Sequence, residues 1–217
     1  MADVRGNTLT NALAPSSNDA WRALALDRLG GIFPADLTGL AARAAMAGRL
    51  IVASDADQND ALTGQTSFVN TTPTLLLNVP SGSCAIPVAV ELVQTGTVGG
   101  GAVDVLIEAD DIAAFASGGT AETLFYFRNG AGFTTACAVY SGATATAGFG
   151  TNLFQATIGQ DVSPAEGAVN GVFWRPRVPY ILVGPASLKV FTYAATTGPS
   201  WFWHVEFIDL PPAMFTN

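Results

Sequence analysis

Four oxygen-bearing side chains follow one another closely at the start of a polar segment, where a loop could wrap a calcium ion. The possible ligands are Asp55, Asp57, Asn59 and Asp60, and carboxylate and amide oxygens are the groups that Ca²⁺ coordinates. The loop departs from the EF-hand pattern at both diagnostic positions, with Asp60 in place of the sixth-position glycine and Thr66 in place of the twelfth-position glutamate. These departures favour an acidic, solvated turn, and calcium binding by the four residues is the alternative.

His204 is the only histidine in the sequence, so a mechanism that needs a histidine acid, base or nucleophile must use it. In an extended strand, Glu206 lies on the same face and could pair with the ring. The sequence contains no Gly-x-Ser-x-Gly elbow, no Walker loop and no His-x-x-x-His pair. We therefore expect a hydrogen-bonded structural histidine in a chain that is not an enzyme, with a hydrolase that uses His204 as an alternative.

The segment from residue 174 to residue 180 combines arginines and aromatic rings with prolines that forbid a regular central strand. Arginine and aromatic residues are enriched at protein contacts. Trp174, Arg175, Arg177 and Tyr180 are therefore predicted to form a subunit contact. Two alternatives remain: Trp174 and Tyr180 fill the core, or they stack on a sugar.

The composition argues against a general nucleic-acid binder. The formal net charge is -8, and only nine residues are Lys or Arg, of which Lys189 is the single lysine. Binding to phosphates needs a basic face, which this sequence does not supply. Charged residues make up 12% of the chain and hydrophobic ones 49%, a balance that suits a subunit whose faces are covered by neighbouring subunits.

Cysteines and the N-terminal residues indicate the cellular setting. Cys84 and Cys137 each lie in an apolar stretch, which predicts buried free thiols, and neither a disulfide framework nor a zinc site. The N-terminus lacks the apolar core of a signal peptide, and no run approaches the ~20 apolar residues of a membrane span. We expect synthesis in a cytoplasm, no membrane contact and no cofactor apart from the calcium alternative.

The elements that must position these residues divide the chain into an arm, 1–49, and a β domain, 50–217. Residues 1–17 show no sustained periodicity and predict a flexible or extended arm. Asn18 and Asp19 can cap a helix that ends at Gly30. Asp36 can cap a second helix that ends at Gly48.

From residue 50 onward, β-branched and aromatic runs alternate with turn residues, as in a sandwich or barrel. Val103, Val105 and Ile107 alternate with polar positions that include Glu108, whose carboxylate is predicted to face water. The predicted strands are 50–54, 66–70, 74–79, 84–94, 102–109, 123–128, 135–140, 152–157, 170–174, 180–183, 188–194 and 201–209.

The last strand should anchor the core, because period two places Trp201, Trp203, Val205 and Phe207 on one face. About eight main strands without intervening helices predict an all-β fold, a jelly-roll-type two-sheet β-sandwich with a short N-terminal helical arm. An immunoglobulin-like sandwich is the near alternative.

In overall texture the sequence resembles bacteriophage and viral jelly-roll virion proteins, of the capsid or head-decoration type. The resemblance rests on the N-terminal arm with its two short helices, the Thr-, Gly- and Ala-rich β domain and the aromatic strand from Trp201 to Asp209. It implies a non-enzymatic structural subunit of a virus particle that forms homo-oligomers or binds other capsid proteins. A carbohydrate-binding β-sandwich is the alternative function.

Overall fold

The computed structural model describes residues 37–55, 61–95, 102–146, 148, 150–158, 171–194 and 199–210. The predicted arm 1–17 and the predicted first helix lie outside these ranges. Within them, the chain forms one helix and fifteen strands. They are α1 (Leu37–Met46), β1 (Leu50–Ser54), β2 (Leu62–Thr63), β3 (Leu75–Val79), β4 (Cys84–Thr95), β5 (Val103–Asp110), β6 (Phe115–Ser117), β7 (Thr120–Ala121), β8 (Leu124–Tyr126), β9 (Ala138–Ser141), β10 (Thr144–Ala145), β11 (Thr151–Ile158), β12 (Gly171–Trp174), β13 (Leu182–Val183), β14 (Ala186–Ala194) and β15 (Ser200–Leu210).

The strands form two large antiparallel sheets. The first sheet has the order β12-β4-β15-β1-β8, with β13 also paired to β4 and β2 to β15. The second sheet has the order β11-β5-β14-β3-β9-β7. Strands β10 and β6 form a separate two-stranded ribbon.

The strand order is that of a jelly roll. Its eight main strands, numbered one to eight along the chain, are β1, β3, β4, β5, β11, β12, β14 and β15. In this numbering, the order of the main strands is 6-3-8-1 in the first sheet and 5-4-7-2 in the second sheet. This arrangement of two interlocked Greek keys confirms the predicted fold class and selects the jelly roll over the immunoglobulin-like alternative.

The core lies between the two sheets, and β15 supplies its largest side chains. Trp201, Trp203, Val205 and Phe207 are all buried, as their alternation predicts. Opposite them, the second sheet contributes Val105, Ile107 and Val190 among others. Alternate residues point to opposite faces of a strand, so each strand places one apolar row in this core.

Helix α1 covers part of the outer face of the first sheet. Ala44 is buried, and Leu40 and Ala41 pack with it on Leu50 and Ile208. Gly48, at a φ of 71°, follows the helix as predicted, because glycine enters this left-handed region without steric cost. The helix therefore packs against the sandwich. No helix within the described ranges is long and apolar enough to cross a membrane.

One strand prediction is wrong, because residues 66–70 form a bent loop instead. The Gln65 side chain provides the hydrogen bonds that a neighbouring strand would otherwise make: its Oε1 accepts from Val69 N at 2.7 Å, and its Nε2 donates to Thr72 O. The loop places Phe68 against Phe191, with ring centroids 5.1 Å apart. It covers one end of the outer face of the second sheet.

A longer insertion between β5 and β11 covers another part of this face. It contains the short strands β6, β7 and β10, which sequence periodicity did not predict. Its residues Ala114, Ala143 and Ala145 are buried together with Leu76 of β3. The prediction that Glu108 faces water is consequently wrong: this side of the sheet is covered, and the Glu108 side chain is only 6% exposed.

We expect Phe207→Ala to destabilise the fold by about 3–5 kcal/mol, because it removes a ring from the centre of the sandwich and leaves a cavity. Phe207 is fully buried. The matched control is Phe127→Ala, at a ring that is 50% exposed, and it should change stability far less. Urea denaturation followed by tryptophan fluorescence measures both, and equal losses would contradict this account of the core.

Candidate functional site

One edge of the first sheet carries an exposed surface of apolar and arginine side chains. Strands β12 and β13 both pair with β4, and the prolines at 176 and 179 separate them by preventing regular pairing. Phe173 and Val178 are 57% and 73% exposed. We call this surface the arginine edge, and its members are Phe173, Arg175, Arg177, Val178, Ile181 and Val183.

The structure separates the four predicted contact residues into two pairs. Arg175 and Arg177 are exposed, and the Arg175 guanidinium carbon lies 4.7 Å from the centre of the Phe173 ring. Trp174 is only 6% exposed and belongs to the core, and Tyr180 is half-buried against it. The contact hypothesis therefore depends on the arginines and their apolar neighbours. Sequence reasoning missed Phe173, although alternation from buried Trp174 places it on the outside.

The opposite edge of the first sheet, formed by β8, also exposes apolar groups. Phe125 and Phe127 are about half exposed, and Met46, at the end of α1, is more so. Arg128 holds this region together by donating from Nη1 to Met46 O at 3.2 Å. We call Met46, Phe125 and Phe127 the phenylalanine edge. One sheet thus presents two separate apolar surfaces, one at each end of its strand order.

Between the two edges, the outer face of the first sheet carries His204 and Glu206. His204 Nε2 donates to Glu206 Oε1 at 2.9 Å. This hydrogen bond lowers the pKa of the Glu206 carboxyl against the effect of burial, and the charges of His204 and Arg175 lower it further. The pair forms the predicted hydrogen-bonded histidine and links β15 electrostatically to the arginine edge.

Strand register places further polar groups beside His204. Glu91 of β4 is its partner on one side and Ser54 of β1 on the other, and Phe173 lies beyond Glu91. Within the described residues, the Ser54 hydroxyl makes no hydrogen bond to the ring. Ser54, His204 and Glu91 form a polar row across the sheet, and with Glu206 they offer one oriented imidazole and two carboxylates on an open face. This row lacks the serine-to-histidine hydrogen bond that nucleophilic catalysis uses.

The predicted calcium loop is described only at its first residue. Asp55 donates its backbone N–H to Trp203 O at 3.1 Å, which fixes the start of the loop to β15. Asp57, Asn59 and Asp60 lie outside the described residues. Among the residues that the structure does describe, no group of three or more His, Cys, Asp or Glu side chains could hold a metal ion.

Both cysteines are buried free thiols, as the sequence predicts. Burial raises the pKa of Cys84 to about 11 and that of Cys137 to about 12, and the charge of nearby Asp209 adds to both shifts. A thiol in this state stays protonated at neutral pH and is a poor nucleophile. The two cysteines therefore act as apolar packing groups.

Comparison with known proteins identifies no family for this chain. Neither the family models, nor the curated proteins, nor the solved structures contain a match to the chain.

We expect Glu206→Gln to lower the stability of the protein by on the order of 1 kcal/mol at pH 7, because it removes the charged acceptor of His204. The folded-state pKa of this carboxyl is depressed, so its contribution is present above the unfolded-state pKa and is lost as pH falls through the folded-state value. The difference between wild type and variant in urea denaturation should consequently shrink between pH 7 and pH 3.

The matched control for this experiment is Asp111→Asn, at an exposed carboxylate outside the row. It should change stability little at either pH. A Glu206→Gln effect of the same size at pH 7 and pH 3 would show that the depressed pKa does not contribute to stability.

Proposed function

We propose that the chain is a non-enzymatic structural subunit of a phage or virus particle, as a shell or decoration protein, and that it acts through subunit contacts. The observation that carries this proposal is the pair of apolar surfaces at opposite edges of one sheet. Jelly rolls also serve in lectins and cupins, so the fold is compatible with the role without assigning it.

The arginine edge has the chemistry of a protein contact. Its apolar members Phe173, Val178 and Ile181 are exposed, and they lie beside two arginines in a protein of net charge -8. Exposed apolar groups rimmed by polar residues are typical of interaction surfaces, and arginine is enriched in them. The positive charge of this edge would attract the generally acidic surface of another copy.

The two edges differ in composition, since only the arginine edge carries Arg175 and Arg177, and this difference favours a head-to-tail contact between them. A contact that joins two different surfaces leaves one of each free on the resulting pair, so further copies can add. Such contacts generate rings when the rotation closes. The arginine edge of one copy is therefore proposed to bind the phenylalanine edge of the next.

Complementation between two variants tests this arrangement. Val178→Asp together with Ile181→Asp disables the arginine edge, and Phe125→Asp disables the phenylalanine edge. We expect wild type to assemble, each variant alone to remain at the 22.3 kDa of one chain, and their mixture to form dimers only. Light scattering after size exclusion, with negative-stain imaging of each peak, measures the outcome.

The control is Val69→Asp, at an exposed valine of the loop over the second sheet, which should assemble as wild type does. Dimers of the Phe125→Asp variant alone would show that like edges pair. A wild-type protein that is strictly monomeric at high concentration would contradict self-assembly and favour the second candidate.

A carbohydrate-binding role is that second candidate, favoured by the exposed Phe173 ring beside the polar row of Glu91, His204 and Ser54. Aromatic rings can stack on sugars while polar side chains bind their hydroxyls. The buried Trp174 cannot present its ring in this way. Under this hypothesis, Phe173→Ala abolishes binding on a glycan array while Phe127→Ala retains it; an array without signal for wild type would exclude the role for the glycans presented.

A further inference from the structure

The single lysine of the chain lies in an unusual place, fully buried on the outer face of the second sheet. Lys189 of β14 pairs in register with Glu108 of β5, and Asp110 follows two residues further along β5 on the same face. The side chains of Glu108 and Asp110 are only 6% and 8% exposed. One amine and two carboxyl groups are therefore enclosed together.

Within this cluster, the Lys189 amine lies closer to the Asp110 carboxyl group than to that of Glu108. Lys189 Nζ lies 3.0 Å from Asp110 Oδ2 and 3.7 Å from Glu108 Oε2. It also donates to Gly148 O at 3.0 Å, which fixes its direction. Asp110 Cγ is one bond beyond Oδ2, so a small rotation of the carboxyl group brings the amine nitrogen to the separation at which bound groups react, roughly 3–3.5 Å.

The three ionisable groups are not fully paired within this enclosed site. One ammonium cannot neutralise two carboxylates, and a buried charge without full pairing is costly. Among the described residues, Glu108 Oε2 and the neighbouring Ser187 Oγ have no hydrogen-bond partner. Leu76 pairs in register with Lys189 and is buried with Ala114 and Ala145 of the covering insertion, so this part of the face has little contact with solvent.

We propose that Lys189 and Asp110 are joined by an isopeptide bond, which the folded protein forms by itself with Glu108 as proton carrier. A proton first passes from the Lys189 ammonium to the Asp110 carboxylate, which gives a neutral amine and a carboxylic acid. Nζ then attacks Asp110 Cγ, so a C–N bond forms and the C–OH bond of the acid breaks. Glu108 accepts a proton from the nitrogen and returns one to the departing hydroxyl, which leaves as water. The step needs no oxidant, reductant or added reagent, and it removes the charges of Lys189 and Asp110 from the buried cluster.

The bond would tie two adjacent inner strands of the second sheet, β5 and β14, across 79 residues of sequence. A covalent link between distant residues restricts the unfolded chain and so stabilises the fold, as a disulfide does. The proposed link needs no oxidising compartment, because no redox change is involved. This property is independent of the proposed assembly role and would hold for a monomer as well.

The mass of the intact, denatured wild-type protein is the first test. We expect a mass lower than that of the sequence by one water molecule, and a tryptic peptide that remains uncut at Lys189. Chymotryptic mapping should find the segment with Asp110 joined to the segment with Lys189. An unmodified mass overturns the proposal, and so does water loss confined to a single peptide, which would indicate a succinimide.

Variants of the cluster identify the role of each group. Lys189→Met and Asp110→Ala should each show the full mass of their own sequence, whereas Asp111→Asn, at the exposed neighbouring carboxylate, should still lose water. Glu108→Gln preserves the shape of the side chain but cannot carry the proton, so we expect at least a tenfold slower loss of water. Glu108→Gln protein that loses water as completely and as fast as wild type overturns the role of Glu108, and a link at Glu108 in place of Asp110 overturns the assigned bond.

Discussion

The pairing of β15 with β4 and β1 is the constraint on which the rest of the structure depends. Strand β15 pairs with β4 along its whole length and with β1 from His204 to Ile208. Its inward face carries two tryptophans and a phenylalanine, whose burial supplies a large share of the hydrophobic free energy of the core. Because the first and last main strands meet here, the jelly roll closes only when all eight main strands are in place.

The same pairing determines what the outer face of the first sheet can present. The end that carries Leu50 and Ile208 lies under α1, while the end that carries His204 remains open. Beyond this face, the sheet ends in β12 on one side and β8 on the other, so its two edges become available for contact. An exposed sheet edge offers both apolar side chains and unpaired backbone groups to a neighbour. These two edges are therefore the surfaces proposed to join neighbouring copies.

The second sheet differs from the first, because its outer face is largely enclosed by other segments of the chain. The insertion between β5 and β11 and the loop with Phe68 cover it. Because of this cover, Lys189, Glu108 and Asp110 form a buried reactive cluster instead of a solvated ion network. In water the same three side chains would form a weak, screened ion pair. Enclosure brings the amine and the carboxyl group together without competing solvent, the condition under which condensation becomes favourable.

Local sequence patterns were enough to predict which side of strands such as β5 and β15 faces the core, because side-chain alternation is a local property of extended backbone. Alternation thereby predicted the buried row of β15 and the all-β class. Residue type predicted that α1 stops before Gly48 and that Arg175 and Arg177 lie in an exposed edge segment. Tertiary structure alone decided that Gln65 replaces a strand with a loop, that Trp174 belongs to the core and that Glu108 is covered. These outcomes depend on contacts between segments that are distant in sequence. Those segments meet only when both sheets have closed, so no local pattern in the sequence predicts the contacts.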